Sequence, residues 1–263
     1  MVTVTELAPL LLARELAYVE VAVDPEVERR RAHYDAERCL AVADIVAARD
    51  ARRILEVGVG YLTLVTTLRQ VFGDSVELSG VEHPGRRYLD DPGFQREVAA
   101  LKLELRRCDI VADPLPFPAR SFDVVLFSEI MEHLSPAVVP GVLAQLRDLV
   151  APGGRIIVSS PNLSAFYRIA TLAFGHGHVM DVPTEVPHHP GVYGHMRLYG
   201  RGDMDGLAAQ CGLRVTDWRW LEWERGFIDR ATLRGRLLYG AQAGASRLAR
   251  RWSCAWVCAL ESA

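Results

Sequence analysis

Short apolar runs and stretches of helical spacing alternate along most of this chain. Ile54 to Val57 reads as a brief buried strand with one acid, Glu56, near its end. Leu64 and Leu68 then begin a spacing of four that predicts a helix. Ser75 to Val81 alternates and predicts a second strand, and Leu103 to Arg107 a third. The fourth is approached through Ser121 to Val125, the fifth covers Arg155 to Ser160, and the last two cover 213–218 and 254–260. Helices are predicted over 4–19, 25–48 and 203–211. Ala151-Pro152-Gly153-Gly154 reads as the end of the helix that follows the fourth strand. Strands alternating with helices in this way predict an α/β domain.

Three segments stand outside that alternation. Residues 1–49 form an N-terminal helical cap: Asp24-Pro25-Glu26 is a strong helix start, and Leu40, Val42, Ile45 and Val46 give the second helix an apolar face. His33 and Tyr34 lie in this cap. Residues 163–202 are irregular, rich in proline and glycine, and hold five of the eight histidines: His176, His178, His188, His189 and His195. Such a long insertion predicts a lid over a substrate. Residues 225–251 carry seven arginines against one acid, Asp229. Within them Leu233, Leu237, Ala241, Ala245 and Leu248, with Trp252 just beyond, recur at near-helical spacing. That pattern predicts an amphipathic helix packed on the sheet with its arginines in solvent, a membrane-surface or oligomer contact being the alternative.

Composition narrows the class. The 263 residues suit one large domain, here 50–263, plus the cap. A net charge of −3 argues against a nucleic-acid footprint, which needs a basic field. Of 30 basic residues only Lys102 is lysine, as GC-rich coding would produce. The five cysteines are scattered and odd in number, which predicts reduced thiols in a cytoplasmic protein. The apolar run Leu7 to Ala13 is too short for a signal peptide or a membrane span. Self-association, where it occurs, is expected through the N-terminal helices or 225–252.

The chemistry concentrates after the first strand, where Gly58 and Gly60 follow Glu56. Glycines let the chain turn sharply and let a ligand approach the backbone. A dinucleotide fingerprint requires a third glycine where Thr63 stands, and a P-loop requires a lysine that is absent here. A carboxylate beside the turn repels a pyrophosphate and suits a cationic or zwitterionic ligand. A second acid, Glu82, ends the second strand 22 positions after Gly60, where one carboxylate can accept from both hydroxyls of a ribose.

The stretch Glu56-Val57-Gly58-Val59-Gly60 resembles motif I of the class I S-adenosylmethionine-dependent methyltransferases, with Leu62 in place of that motif's third glycine. The resemblance extends over about residues 50 to 162, through Gly80-Val81-Glu82-His83, Cys108-Asp109-Ile110, Leu115-Pro116-Phe117 with Ser121-Phe122-Asp123-Val124-Val125, and Ser128-Glu129-Ile130-Met131-Glu132-His133. It implies a doubly wound, Rossmann-like, mostly parallel sheet of seven strands in the order 3-2-1-4-5-7-6, strand 7 antiparallel. It implies S-adenosylmethionine as cofactor, held by Glu56, Gly58, Val59, Gly60, Glu82, His83, Asp109, Ile110, Ser128 and Glu129, with Asp109 on the adenine amino group. The implied activity is methyl transfer to a small molecule, in bacterial secondary metabolism.

Methyl transfer is an in-line displacement, so the enzyme must align the acceptor and, where needed, remove a proton. His133, just past the fourth strand, is the first candidate base because imidazole titrates near neutrality; His195 and Tyr34 are the others. Glu129, Glu132 and His133, at i, i+3 and i+4 of a helix start, are an alternative metal set with His195 or His189. Glu-x-x-Glu-His resembles both small-RNA 2′-O-methyltransferases and ubiquinone-biosynthesis O-methyltransferases, so it does not specify RNA. A small-molecule enzyme predicts an enclosed acceptor pocket, an RNA enzyme a basic groove, and a non-catalytic binding protein no acceptor cavity.

Overall fold

The computed structural model of the chain describes residues 2–18, 25–175, 194–222 and 232–263. Among these, the strands β1 (Arg53–Val57), β2 (Glu77–Glu82), β3 (Leu103–Arg107), β4 (Phe122–Ser128), β5 (Val150–Pro161), β6 (Leu213–Leu221) and β7 (Ala255–Ser262) form one sheet. Its order is β3-β2-β1-β4-β5-β7-β6. The first five strands pair in parallel, and β7 runs antiparallel to both β5 and β6. Order and direction agree with the sequence-based expectation.

The apolar runs form strands because both sheet faces are covered. On one face α1 (Val4–Tyr18), α2 (Pro25–Ala47), α3 (Thr63–Phe72) and α4 (Pro92–Ala100) pack with Ile54, Val124 and Ile157. On the other, α5 (Val139–Leu149) and α7 (Arg201–Gln210) pack with Leu55, Val125, Phe127 and Trp256. Alternate residues of each central strand therefore enter opposite cores. The cap joins the first core: Ala36, Cys39, Val42 and Ala43 of α2 are fully buried beside Leu64 and Leu68 of α3. All five cysteines are buried free thiols, as expected. No described helix is long and apolar enough to cross a membrane.

Three sequence-based expectations are corrected. Ala151-Pro152-Gly153-Gly154 belongs to the start of β5 and does not end α5. The glycines are needed there because Gly153 has φ +80°, and a Cβ on Gly154 would strike the carbonyl oxygen of Asp123 where the β4–β5 register shifts. The segment after β4 is not a helix start: Met131–His133 is a single 3-10 turn, and Glu129 sits in the left-handed region at φ +57°. Finally, α8 (Leu233–Leu248) buries Gln242, Ala245 and Ser246, while Leu233, Leu237 and Leu248 are exposed. Its neighbour is α6 (Phe166–Ala173) rather than the sheet.

Local bonds explain several of the sequence signatures. Asp123, in Ser-Phe-Asp-Val-Val, accepts from the backbone N–H groups of Arg52 and Arg53 and from the Arg53 guanidinium at 2.8–3.0 Å, tying β4 to the start of β1. Asn162, after β5, is fully buried and donates to the carbonyls of Arg251 and Ser253, fixing the approach to β7.

Candidate functional site

In a parallel sheet with helices on both faces, ligands bind beyond the carboxyl ends of the strands where the strand order reverses. Here that point lies between β1 and β4, and a cavity of about 960 Å³ opens there. That volume is at the upper end of the range for small-molecule sites.

The glycine turn is strapped to β2. The N–H groups of Gly58 and Val59 donate to the Val81 carbonyl at 2.9 and 3.3 Å, and that of Gly60 donates to Glu82 Oε2 at 2.7 Å. Gly58 has φ +77°, and a Cβ there would also run into Ile130. Gly60 has φ +50° and faces open space. Leu62, in place of the resemblance's third glycine, keeps a left-handed backbone at φ 63° and buries its side chain completely in the core.

Glu56 and Glu82 both line the cavity and are both buried. Burial pushes the Glu56 carboxyl well above the usual carboxylate range; the Arg38 guanidinium opposes that rise and Glu82 adds to it. Glu56 Oε2 and Ser128 Oγ are buried with no hydrogen-bond partner. Two orphaned polar atoms beside a glycine turn are what a bound polar ligand would satisfy. Val59, His83, Asp109, Ile110 and Glu129 line the same cavity. The Asp109 carboxylate is partly engaged: Oδ1 accepts from the N–H of Val111 at 3.0 Å, and Oδ2 lies 3.8 Å from His83 Nε2. Glu129 Oε1 accepts from Ser159 Oγ at 2.7 Å.

At the other end His133 and His195 line the cavity with ring centroids 4.9 Å apart. His195 arrives because the N–H groups of Met196 and Arg197 both donate to the Glu132 carbonyl, at 2.7 and 3.3 Å. One ligand atom from each of Glu132, His133 and His195 lies within 4.8 Å of the others. Glu129, proposed with them from helical spacing, is not in that group, since no helix exists to align it. Tyr34 does not line the cavity; its hydroxyl lies 3.4 Å from that of Tyr239 in α8. His189 and the middle of the proposed lid, 176–193, fall outside the described residues.

Sequence reasoning missed the charged roof. Arg31, Asp35 and Arg38 of α2 and Glu15 of α1 line the cavity, with Arg31 3.0 Å from Glu15 and Arg38 3.5 Å from Asp35. Burial pushes the Glu15 carboxyl up to about 7 against the pull of Arg31. The signal was available: these α2 charges recur at i, i+4 and i+7 beside a stripe of small apolar residues, so the face next to the core is charged.

A methyltransferase-domain family model matches residues 27–217, most of the chain and including all the cavity-lining strand ends. The chain belongs to this family, the class I S-adenosylmethionine-dependent methyltransferases. No curated protein matches the methyltransferase in sequence. Among solved structures it is similar to magnesium protoporphyrin IX methyltransferase from Synechocystis PCC 6803 with bound S-adenosylhomocysteine, at 12% identity and a TM-score of 0.60, covering 95% of this chain and 94% of that one. It is similar to 1,6-didemethyltoxoflavin-N1-methyltransferase of Burkholderia thailandensis, at 11% identity and 0.54, covering 100% and 91%. A third is the pyocyanin biosynthetic protein PhzM, at 16% and 0.58, covering 94% and 61%. At these identities the likeness speaks to the fold, and the methyltransferase shares it.

Proposed function

We propose that this methyltransferase transfers a methyl group from S-adenosylmethionine to a small molecule of bacterial secondary metabolism, with His133 as general base. The observation that carries the reading is the continuity of one cavity, from Glu56, the glycine turn and Glu82 to His133 and His195. The cofactor supplies an activated methyl on a sulfonium. Glu56 receives its ammonium and Arg38 its carboxylate, since these opposite charges flank the turn and suit an amino-acid zwitterion. Glu82 accepts from the ribose hydroxyls, and Asp109 and Ile110 border the adenine. His133 holds the acceptor against the methyl and takes its proton at an imidazole nitrogen. The similar protein from Burkholderia thailandensis was crystallised with bound 1,6-didemethyltoxoflavin, which supports a small acceptor in such a site. The 1–49 cap roofs the cavity through Glu15 and the α2 charges, and 163–202 borders it through His195.

A second reading is favoured by one observation, the closeness of Glu132, His133 and His195. One carboxylate and two imidazoles suit a divalent transition-metal ion. Held there, the ion would polarise an acceptor hydroxyl, and His133 would serve as ligand instead of base. The net charge of −3 and the acidic members of the cavity wall weigh against RNA as its acceptor.

Isothermal calorimetry with S-adenosylmethionine and S-adenosylhomocysteine is the test: both should bind at one site per chain and NADH should not. Binding of NADH in their place, or of neither, would overturn the cofactor assignment. A purely cofactor-binding protein would bind both and methylate nothing in a panel of small phenols, amines and carboxylates.

A further inference from the structure

The helix α8 is amphipathic the wrong way round for a core helix. Its inward side is held by hydrogen bonds: Gln242 is fully buried, accepting from the Tyr167 N–H of α6 at 2.9 Å and donating to the Trp252 carbonyl at 2.8 Å. Ser246 and Ala245 are buried beside it. At about 100° per residue, the opposite side of the helix carries Leu233, Leu237, Ala241, Gly244 and Leu248 in one stripe. Leu233, Leu237 and Leu248 are 65%, 66% and 86% exposed. On the same geometry Arg234 borders that stripe on one side and Arg236 and Arg247 on the other. Arg250 and Arg251 follow, and no acidic residue occurs from 230 to 260. The packed neighbour α6 adds exposed Ile169, Leu172 and, at its end, Phe174, 80% exposed.

We infer that α8, with the exposed side of α6, is a docking surface for the face of a lipid bilayer that carries anionic headgroups. An apolar stripe bordered on both sides by cations is the composition of a helix that lies in a membrane interface, leucines in the acyl boundary and guanidinium groups on phosphates. No described helix is built to span, so the attachment is peripheral. A second copy of the chain is a poorer occupant, because a two-fold contact through this face would set its arginines against their own copies. Nucleic acid is poorer still, because the exposed leucines would stay uncovered. None of the α8 residues named here lines the methyl-transfer cavity, so the surface stands independently of the proposed activity.

Co-sedimentation of the full chain with vesicles tests this. The protein should pellet with phosphatidylcholine vesicles containing about one third phosphatidylglycerol, not with pure phosphatidylcholine, and should be released as salt rises from about 0.05 to 0.5 M. The pair Arg234→Gln/Arg236→Gln should lower the partition coefficient roughly 25-fold, about fivefold for each charge. Leu233→Ser/Leu237→Ser should lower it by at least about tenfold while leaving cofactor affinity unchanged. Both pairs change exposed side chains, and unaltered melting curves will show that they fold. Absence of binding, equal binding to both vesicle types, or wild-type binding by both variants would overturn the inference. So would a sedimentation-equilibrium dimer that the leucine variant dissociates, which assigns the face to a second copy.

Discussion

The two ends of the cavity are assembled by different means. At the end proposed for the cofactor, Glu56, Gly58, Gly60 and Glu82 follow directly from two adjacent parallel strands, and short-range bonds from the turn to β2 hold them. At the end proposed for the acceptor, Glu132 and His133 sit on one 3-10 turn after β4, and His195 comes from beyond α6, placed by two backbone bonds onto the Glu132 carbonyl. The first end is held within one strand–turn–helix–strand unit, by bonds from Gly58, Val59 and Gly60 to Val81 and Glu82. The second depends on a distant segment docking correctly through two backbone bonds that lie outside the sheet.

Turnover should be the property most sensitive to the acceptor end. His133→Ala is expected to lower it by about 10²–10⁴-fold with cofactor affinity unchanged, if the imidazole is the base. If instead Glu132, His133 and His195 hold a metal, Glu132→Gln and His195→Ala should match His133→Ala, and a chelator should abolish activity until a divalent ion is restored. Steady-state kinetics on the three variants, with and without chelator, separate these outcomes. Full activity of His133→Ala would remove both.

The cofactor end should answer in affinity. Gly58→Val puts a β-branched residue at φ +77° and a side chain against Ile130. Strain of about 1–3 kcal/mol at such a position corresponds to a weakening of roughly 5- to 150-fold in calorimetry. Unchanged affinity in a folded variant would mean that the turn does not shape the site.

The same division governs what was legible in the sequence. Strand–glycine–helix signatures are local, so the turn between β1 and α3 and the acid ending β2 could be read from Glu56, Gly58, Gly60 and Glu82, whereas the sheet order came with the resemblance of the linked motifs over about residues 50 to 162. The helical reading of Glu129 to His133 failed because periodicity does not report a left-handed Glu129 that breaks the segment. The pairing of His195 with His133 was legible only as an option, since backbone bonds between distant segments leave no periodic trace. For α8, near-helical spacing identified the helix but assigned the leucines to the wrong side. Gln242, a polar residue with two backbone partners, outweighs them in choosing which side is buried.

A pH series should sharpen the assignment of Glu56. Its carboxyl is raised well above the usual carboxylate range in the free protein by burial, so it holds its proton to higher pH than an exposed carboxyl does. Receiving an ammonium requires the ionised form, so binding there expels a proton. Affinity should therefore increase with pH, by at most about tenfold per unit, and level off above the free-protein pKa. The linked effect on stability has the opposite sign: a carboxyl with a raised folded pKa favours the folded state as pH falls toward its unfolded value, and disfavours it above. Glu56→Gln should weaken binding and flatten the pH slope. A slope that survives the substitution would place the titrating group elsewhere.

The smallest effect on the site is expected at Leu62, where restoring the glycine usual in motif I tests why leucine is tolerated. Holding a leucine at φ 63° costs about 1–2 kcal/mol, which glycine would relieve. Against that, the side chain is fully buried with Leu64 and Leu68 in the core under the cap, and truncating such a leucine typically costs about 2–5 kcal/mol. Burial outweighs strain over nearly all of these ranges, so Leu62→Gly should melt lower, with a net loss of up to about 4 kcal/mol once both contributions are set against each other. The backbone of the turn is already in the conformation that glycine prefers. Cofactor affinity should therefore stay within about threefold, well under one 1.4 kcal/mol step. A variant that melts higher would show strain to dominate at this position. One that loses cofactor binding while remaining folded would show that the leucine side chain, and not only the glycines before it, sets the shape of the turn.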